Sequence, residues 1–509
     1  MRTAPSWTEL RSGAADLRWL LAFRRSGLAT TRGLKGGALL VGTLTVAAVV
    51  VPAYLRAPLH ARHVGQLVAV LPSVYLGFAL LTVLAAISSG GGREVVPREQ
   101  AVAFPVSPVT EHLGALLLAP LNIAWLLQAW TVLGVTTYVT GPARLPATVV
   151  PLLLWIAAAT AVGQLAGWVF EGIRRGEHGT WVVRGLTGSV AGTLLALVLT
   201  DRLTPLLDSS PTVRVYLVAA YGSAGAWGHW ALGVVLLVLL LVGSVLLGLL
   251  PAGWALHRPQ REELRLESGH RAQVPNPRSD LGAMVRIDRA SIWRAVPLRR
   301  GLVVLALMPG AVALAGNLEW DLITVLPGLV ASGAALLFGV NAWCLDGRGA
   351  LWRDSLPVAP RTAFAAKVVV LLEVLVGAGT LTLVLAGVRA GPPTAAQLAA
   401  VVMTMVVVAV QVTAASLHWS VTSPYAVDLR SARATPAPPV VMAGYSARLA
   451  ARTTIVGLVF SASSYASDWR IPLLVGVPLL CWSTYRLLGT AAAWDRPEVR
   501  ARVVAVTAG

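Results

Sequence analysis

The sequence predicts an all-α polytopic membrane protein of about twelve transmembrane helices, arranged as two six-helix halves with both termini in the cytoplasm. Three observations predict it. Of 509 residues, 56% are hydrophobic and only 13% charged, and mean hydropathy is +0.71, whereas soluble domains carry about 25% charged residues. Apolar runs recur at about 20 residues, the length that a bilayer core of about 30 Å demands. The net charge of +18, almost all arginine, gathers at the ends of those runs. Such a basic excess also suits nucleic-acid binding, but its placement follows the positive-inside rule.

The candidate spans lie near 36–55, 64–88, 113–139, 147–170, 181–200, 229–250, 301–318, 322–344, 364–388, 395–417, 449–466 and 470–490. Arg11, Arg18, Arg24, Arg25 and Arg32 precede the first. Arg174, Arg175 and Arg184 fall between the fourth and fifth, ten arginines from Arg258 to Arg300 after the sixth, and Arg430, Arg433 and Arg448 between the tenth and eleventh. Arg496, Arg500 and Arg502 follow the last. All are cytoplasmic when both ends are inside; Arg56 and Arg62 are a mild exception.

Residues 1–35 read as an interfacial amphipathic segment. Leu10, Leu17 and Leu21 share one helical face, while Arg11, Arg18 and Arg25 recur every seven residues. The segment has no long apolar core, so no cleavable signal peptide is expected. The first transmembrane domain then covers 36–250, a proline-punctuated cytoplasmic linker with a second interfacial helix 251–300, the second domain 301–490 and a cytoplasmic tail 491–509. Arginine's dominance over lysine, which occurs only at Lys35 and Lys367, is a mark of GC-rich bacterial genomes. Cys344 and Cys481 have neither metal nor disulfide spacing.

The halves read as a parallel repeat. "DLRWLLAFRRS" from Asp16 precedes the first span and "DLGAMVRIDRA" from Asp280 the seventh. "FPVSP" at 104–108 returns as "LPVAP" at 356–360. Each Pro-Val-small-Pro step ends a short charged stretch and opens a long apolar run. In the first half Gly90–Gly92 free the chain, Arg93, Glu94, Arg98, Glu99 and Gln100 form the charged stretch, and Pro105 and Pro108 close it. In the second, Asp346–Gly349 free the chain, Trp352, Arg353 and Asp354 follow, and Pro357 and Pro360 close it. Proline fixes φ and disfavours helix just before itself, so each step sets the angle into the next span. A tight turn needs no more than this, but two matched copies suggest a rigid platform for a soluble partner.

The string "REVVPREQAVAFPVSP", followed by an apolar span with "APLN", resembles the permeases of type 2 ABC exporters, especially the long duplicated ones of actinobacteria. The resemblance implies a multi-pass subunit of the inner (plasma) membrane, with an interfacial helix before its first span and six spans per domain. It also implies a coupling helix between the second and third spans that docks onto a separate ATPase, here in two copies. Glu94, Arg98, Glu99, Phe104 and Pro105 would lie at that contact in the first half, and Arg348, Trp352, Arg353 and Asp354 in the second. The second half lacks the Pro-Arg-Glu-Gln string. The family's short external helices between spans five and six would correspond to 204–228.

No P-loop occurs, since Lys35 is followed by Gly36 and Lys367 by Val368. The chain is thus expected to be a transport subunit and not an enzyme, without its own cofactor, with ATP and magnesium on the partner. The eight histidines are scattered, and neither Gly-x-Ser-x-Gly nor His-Glu-x-x-His is present. Glu373, about ten residues into its span, is costly in lipid and expected to face protein or water. At the repeat offset it matches Leu121, next to Asn122. Asn122, Gln128 and Glu373 are therefore candidates for a translocation path carrying an amphipathic or hydrophobic substrate outward, with interhelical hydrogen bonding as the simpler role. Gln164 and Gln411 read the same way.

Two other functions fit less well. A twelve-span ion-coupled secondary transporter suits the span count, Glu373 and "DGRG" at 346–349, but its loop motif is missing from the first half. A membrane enzyme acting on lipids would need clustered external carboxylates or histidines.

Overall fold

In a computed structural model, the chain is described at residues 11–13, 15–19, 31–55, 61–88, 106–119, 123–202, 205–206, 209–258, 275, 277–427 and 436–508. Among these residues the protein is helical and has no strand. It divides into two compact units, Met1–His270 and Arg271–Gly509, a boundary inside the expected linker.

The first unit contains α1 (Thr31–Leu55), α2 (Ala61–Ser88), α3 (Pro108–Leu117), α4 (Ile123–Thr140), α5 (Leu145–Arg174), α6 (Gly179–Leu199), α7 (Val213–Ala224) and α8 (Trp227–Leu256). The second contains α9 (Asp280–Arg294), α10 (Val296–Ala315), α11 (Trp320–Ile323), α12 (Leu326–Leu337), a 3-10 turn (Gly339–Leu345), α13 (Gly349–Asp354), α14 (Pro360–Gly387), α15 (Ala395–Thr422), α16 (Pro439–Ser463), α17 (Arg470–Trp494) and α18 (Pro497–Ala508).

Among the described residues, nine segments are long and apolar enough to cross a membrane: 67–87, 145–174, 181–198, 227–256, 298–315, 320–345, 360–387, 395–422 and 470–494. This is a multi-pass membrane protein. Three expected spans are not among the nine. The described apolar part of α1, Val41–Leu55, is short. The span expected at 113–139 is divided between α3 and α4. The one at 449–466 lies on α16, whose apolar run is interrupted by Arg448 and Arg452. Helix α8 continues through Pro251 to Leu256, past the domain edge expected at 250.

In the first unit Leu71, Tyr75 and Phe78 of α2 pack with Leu133 of α4, Leu152 and Ile156 of α5 and Ala219 of α7. Helices α2 and α5 approach closely because α5 presents Gly163 and Gly167. A Cβ there would lie 2.8 Å from Thr82 backbone and 2.8 Å from the Ala86 Cβ. Without a hydrophobic force between helices in lipid, such small-residue contacts do the joining. Thr82 Oγ1 adds a hydrogen bond to the Ala159 carbonyl at 3.1 Å. The described part of the N-terminal segment is helical, with Leu17 buried and Arg11 and Arg18 exposed; Leu10, Leu21 and Arg25 lie outside the described residues. Helix α7 occupies the stretch where external helices were expected.

In the second unit α9 buries Met284, Val285, Asp288 and Ile292 on one face. Ser279 caps it by accepting from the Gly282 N–H at 3.1 Å. Within the expected tail, α18 is helical and buries Val503, Val504 and Thr507.

Candidate functional site

The recurring proline step has a local explanation. In "PVSP", Ser107 is the N-cap of α3, its side chain accepting from the Thr110 N–H at 3.1 Å, and Pro108 is the first helical residue. Ala359 and Pro360 take the same positions at α14, without a side-chain cap. Proline suits that first position because its missing N–H would be unpaired anyway. Glu94, Arg98, Glu99, Phe104, Pro105 and Asn122 lie outside the described residues.

The second loop is described throughout. It follows a span that breaks before its end: Asn341 has non-helical φ −146° and ψ 62°. Side chains around the break supply hydrogen bonds, while Asn341 Oδ1 is itself buried and unbonded. Asn341 Nδ2 donates to the carbonyls of Tyr425 at 2.9 Å and Pro436 at 2.8 Å. Ser420 Oγ accepts from the Ala342 N–H at 3.0 Å and donates to the Gly339 carbonyl at 3.1 Å. Irregular backbone at a span end persists only where protein meets its hydrogen bonds.

Beyond the break the chain turns at Asp346 and Gly347, whose φ of +48° suits glycine, and forms α13. The charged residues of this short helix do not all face water. Arg353 is turned inwards: Nη1 donates to Asp288 Oδ1 at 2.5 Å and to Asp346 Oδ1 at 3.1 Å, and Nη2 to Asp288 Oδ2 at 3.0 Å. Lys367 Nζ of α14 completes the group, 2.8 Å from Asp288 Oδ1 and 3.0 Å from Asp346 Oδ2. All four side chains are buried, the most open being 8% exposed. Two cations and two anions make the cluster neutral, and it ties α9, the loop, α13 and α14 together.

Burial by itself would raise the Asp288 carboxyl, but Lys367 and Arg353 overcome it and hold the group below the usual carboxylate range. Burial would likewise favour loss of the Arg353 proton, but the hydrogen bonds and charges of Asp288 and Asp346 push its pKa up instead. Arg353 was expected at a docking surface; the structure makes it an anchor. What α13 shows outwards is Leu351 and Trp352, 60% and 61% exposed, flanked by exposed Arg348. Nothing in the local sequence sets Leu351 apart from the other apolar residues near it.

Asp354 is half-exposed and pairs with Arg500 of α18 at 2.9 Å. Between α13 and α18 lies a cavity of about 320 Å³, lined by Trp343, Arg353, Pro357, Trp494 and Arg500 among others. Trp343 stacks on Trp494 with ring centroids 4.4 Å apart.

Glu373 does not stand alone in its span. Arg289 of α9 grips it from Nε at 2.8 Å and from Nη2 at 2.5 Å, and both side chains remain partly exposed. Gln128 is half-buried on α4. Gln164 is buried, with its Nε2 unbonded.

One residue dismissed as scattered is built in. His112 is fully buried in the first unit. The Trp168 indole donates to its Nδ1 at 3.1 Å, so its proton sits on Nε2, which meets the Val245 carbonyl at 3.1 Å. This neutral tautomer joins α3, α5 and α8, and Gly248 leaves the room: a Cβ there would lie 2.5 Å from the imidazole.

No family model, curated protein or solved structure matches this chain.

Proposed function

We propose that the protein is the membrane-spanning permease subunit of an ABC exporter of the inner (plasma) membrane. A separate ATPase, in two copies, docks on the loops at 90–112 and 345–362 and drives an amphipathic or hydrophobic substrate outward. In this reading both termini and both loops are cytoplasmic, and twelve helices cross the bilayer.

One observation carries the proposal: a short helix with two large apolar side chains in the open, anchored through a buried four-charge cluster. Exposed Leu351 and Trp352 suit a protein partner, because tryptophan in a desolvated pocket is a typical binding hot spot. Arg353 ties α13 to Asp288 of α9 and Asp346 of the loop, and Lys367 of α14 meets the same two carboxylates, so force on the loop reaches the span through charged contacts that are costly to break. Glu373 and Arg289 supply a polar surface that lipid would disfavour, which suits a water-filled path.

The test is co-expression with an ATPase encoded beside the gene, followed by purification through the permease. Association that is lost in L351S/W352S, with transport that stops when ATP is depleted, supports the proposal. Transport that collapses with an uncoupler at constant ATP favours an ion-coupled transporter instead.

A further inference from the structure

Four basic side chains sit on three helices of the second unit that pack against one another. Arg448 and Arg452 lie one turn apart on α16 and so share a face. His418 is on α15 and Arg486 on α17. Helix α15 packs along both neighbours. The Trp419 and Tyr445 rings stack at 4.4 Å and 12°, which fixes α15 against α16 beside His418 and one turn from Arg448. His418 stands in the field of Arg452 and Arg486, and Arg452 in that of Arg486 and Arg448.

These arginines differ from others in the unit. Arg289, Arg353, Arg361 and Arg500 each meet a carboxylate. Among the described residues, no ion pair or side-chain hydrogen bond reaches Arg448, Arg452 or Arg486. Arg452, Arg486 and His418 are half-buried, and Arg448 is exposed. At 1.5 Å per residue, Arg448 lies about 14 Å and Arg452 about 20 Å from the start of α16, and Arg486 about 12 Å from the end of α17. Guanidiniums along membrane helices call for a counter-charge. Three guanidiniums suit a phosphate group, whose several oxygens arginine holds bidentately. Basic pockets between spans are where anionic head groups bind.

We infer that His418, Arg448, Arg452 and Arg486 form a binding site for a phosphate-bearing anion. The anion is supplied either by a phospholipid head group from the bilayer or by a soluble phosphate compound. The site is independent of what energises the protein, so it can fail without the exporter reading failing, and the reverse.

The experiment uses the full chain in nanodiscs of phosphatidylcholine with and without phosphatidylglycerol, with bound lipids counted by native mass spectrometry. In parallel, inorganic phosphate is titrated in neutral detergent while the thermal midpoint is followed. A preference for phosphatidylglycerol that falls at least tenfold in R448Q/R452Q/R486Q, but not in R470Q, supports the lipid source. A midpoint raised by phosphate in the wild type and unmoved in the triple variant supports the soluble source. R448Q, an exposed change that folding tolerates, gives a partial loss of whichever response is seen. If R448Q and the triple variant keep native helical content and both responses are unchanged or absent, the inference is overturned.

Discussion

Arg353 and Asp288 meet fork to fork, with Nη1–Oδ1 at 2.5 Å and Nη2–Oδ2 at 3.0 Å, both side chains buried. The pair joins the helix before a span to the loop after one, 65 residues further on. Removing one partner of a buried pair costs about 3–5 kcal/mol, because the remaining charges stay buried and uncompensated. R353A is expected to lower the thermal midpoint of the purified protein sharply. K367M, which also leaves an excess negative charge, should do the same. The two changes together should cost more than their sum, since either cation alone still offsets part of the charge on both carboxylates and removing both leaves them unneutralised.

The same carboxylate gives a pH dependence. Asp288 is held below its ordinary value of 3.8. Its contribution to stability is therefore complete above about pH 5 and is lost as pH falls through the folded-state value. Thermal midpoints measured from pH 7 down to pH 3 should show an acid decline, and D288N, already weaker at pH 7, should show a shallower one.

Close packing of α2 on α5 makes a third prediction. G167I drives a branched side chain into Ala86, and overpacking of this kind costs about 1–3 kcal/mol. Gly185 has open space around its missing Cβ, so G185A should leave the midpoint unchanged or raise it slightly. Unfolding of both variants in the same detergent checks the contrast.

Glu373 separates stability from transport. Its pair with Arg289 is partly exposed and screened, so it adds little to folding. E373Q should fold with a near-native midpoint and lose transport, because the polar surface along α14 is altered. Native transport by E373Q would remove this pair from the path.

Some of this was legible in the sequence. Apolar runs located most of the spans to within a few residues, because burial in lipid leaves a long uninterrupted signal. The proline step that closes the charged stretch ends at Pro108, where α3 begins. The amphipathic pattern at Asp280 announced α9. Arg353 was misread because charge in a loop predicts exposure, and nothing in the local sequence reveals that Asp288 and Lys367 close over it. Lys367, one of two lysines and set in an apolar run, was the available signal. The break at Asn341 was hidden because the residues around it are as apolar as a continuous helix. His112 was invisible for a similar reason, since its partners Trp168 and Val245 are distant in the chain.

The most direct test of the central claim is co-purification of the ATPase with the L351S/W352S permease. These side chains are exposed, so the variant should keep its thermal midpoint. If α13 is the docking helix, the ATPase bound per permease falls at least tenfold while R470Q retains it in full. Full retention of the ATPase by the double variant would contradict the account.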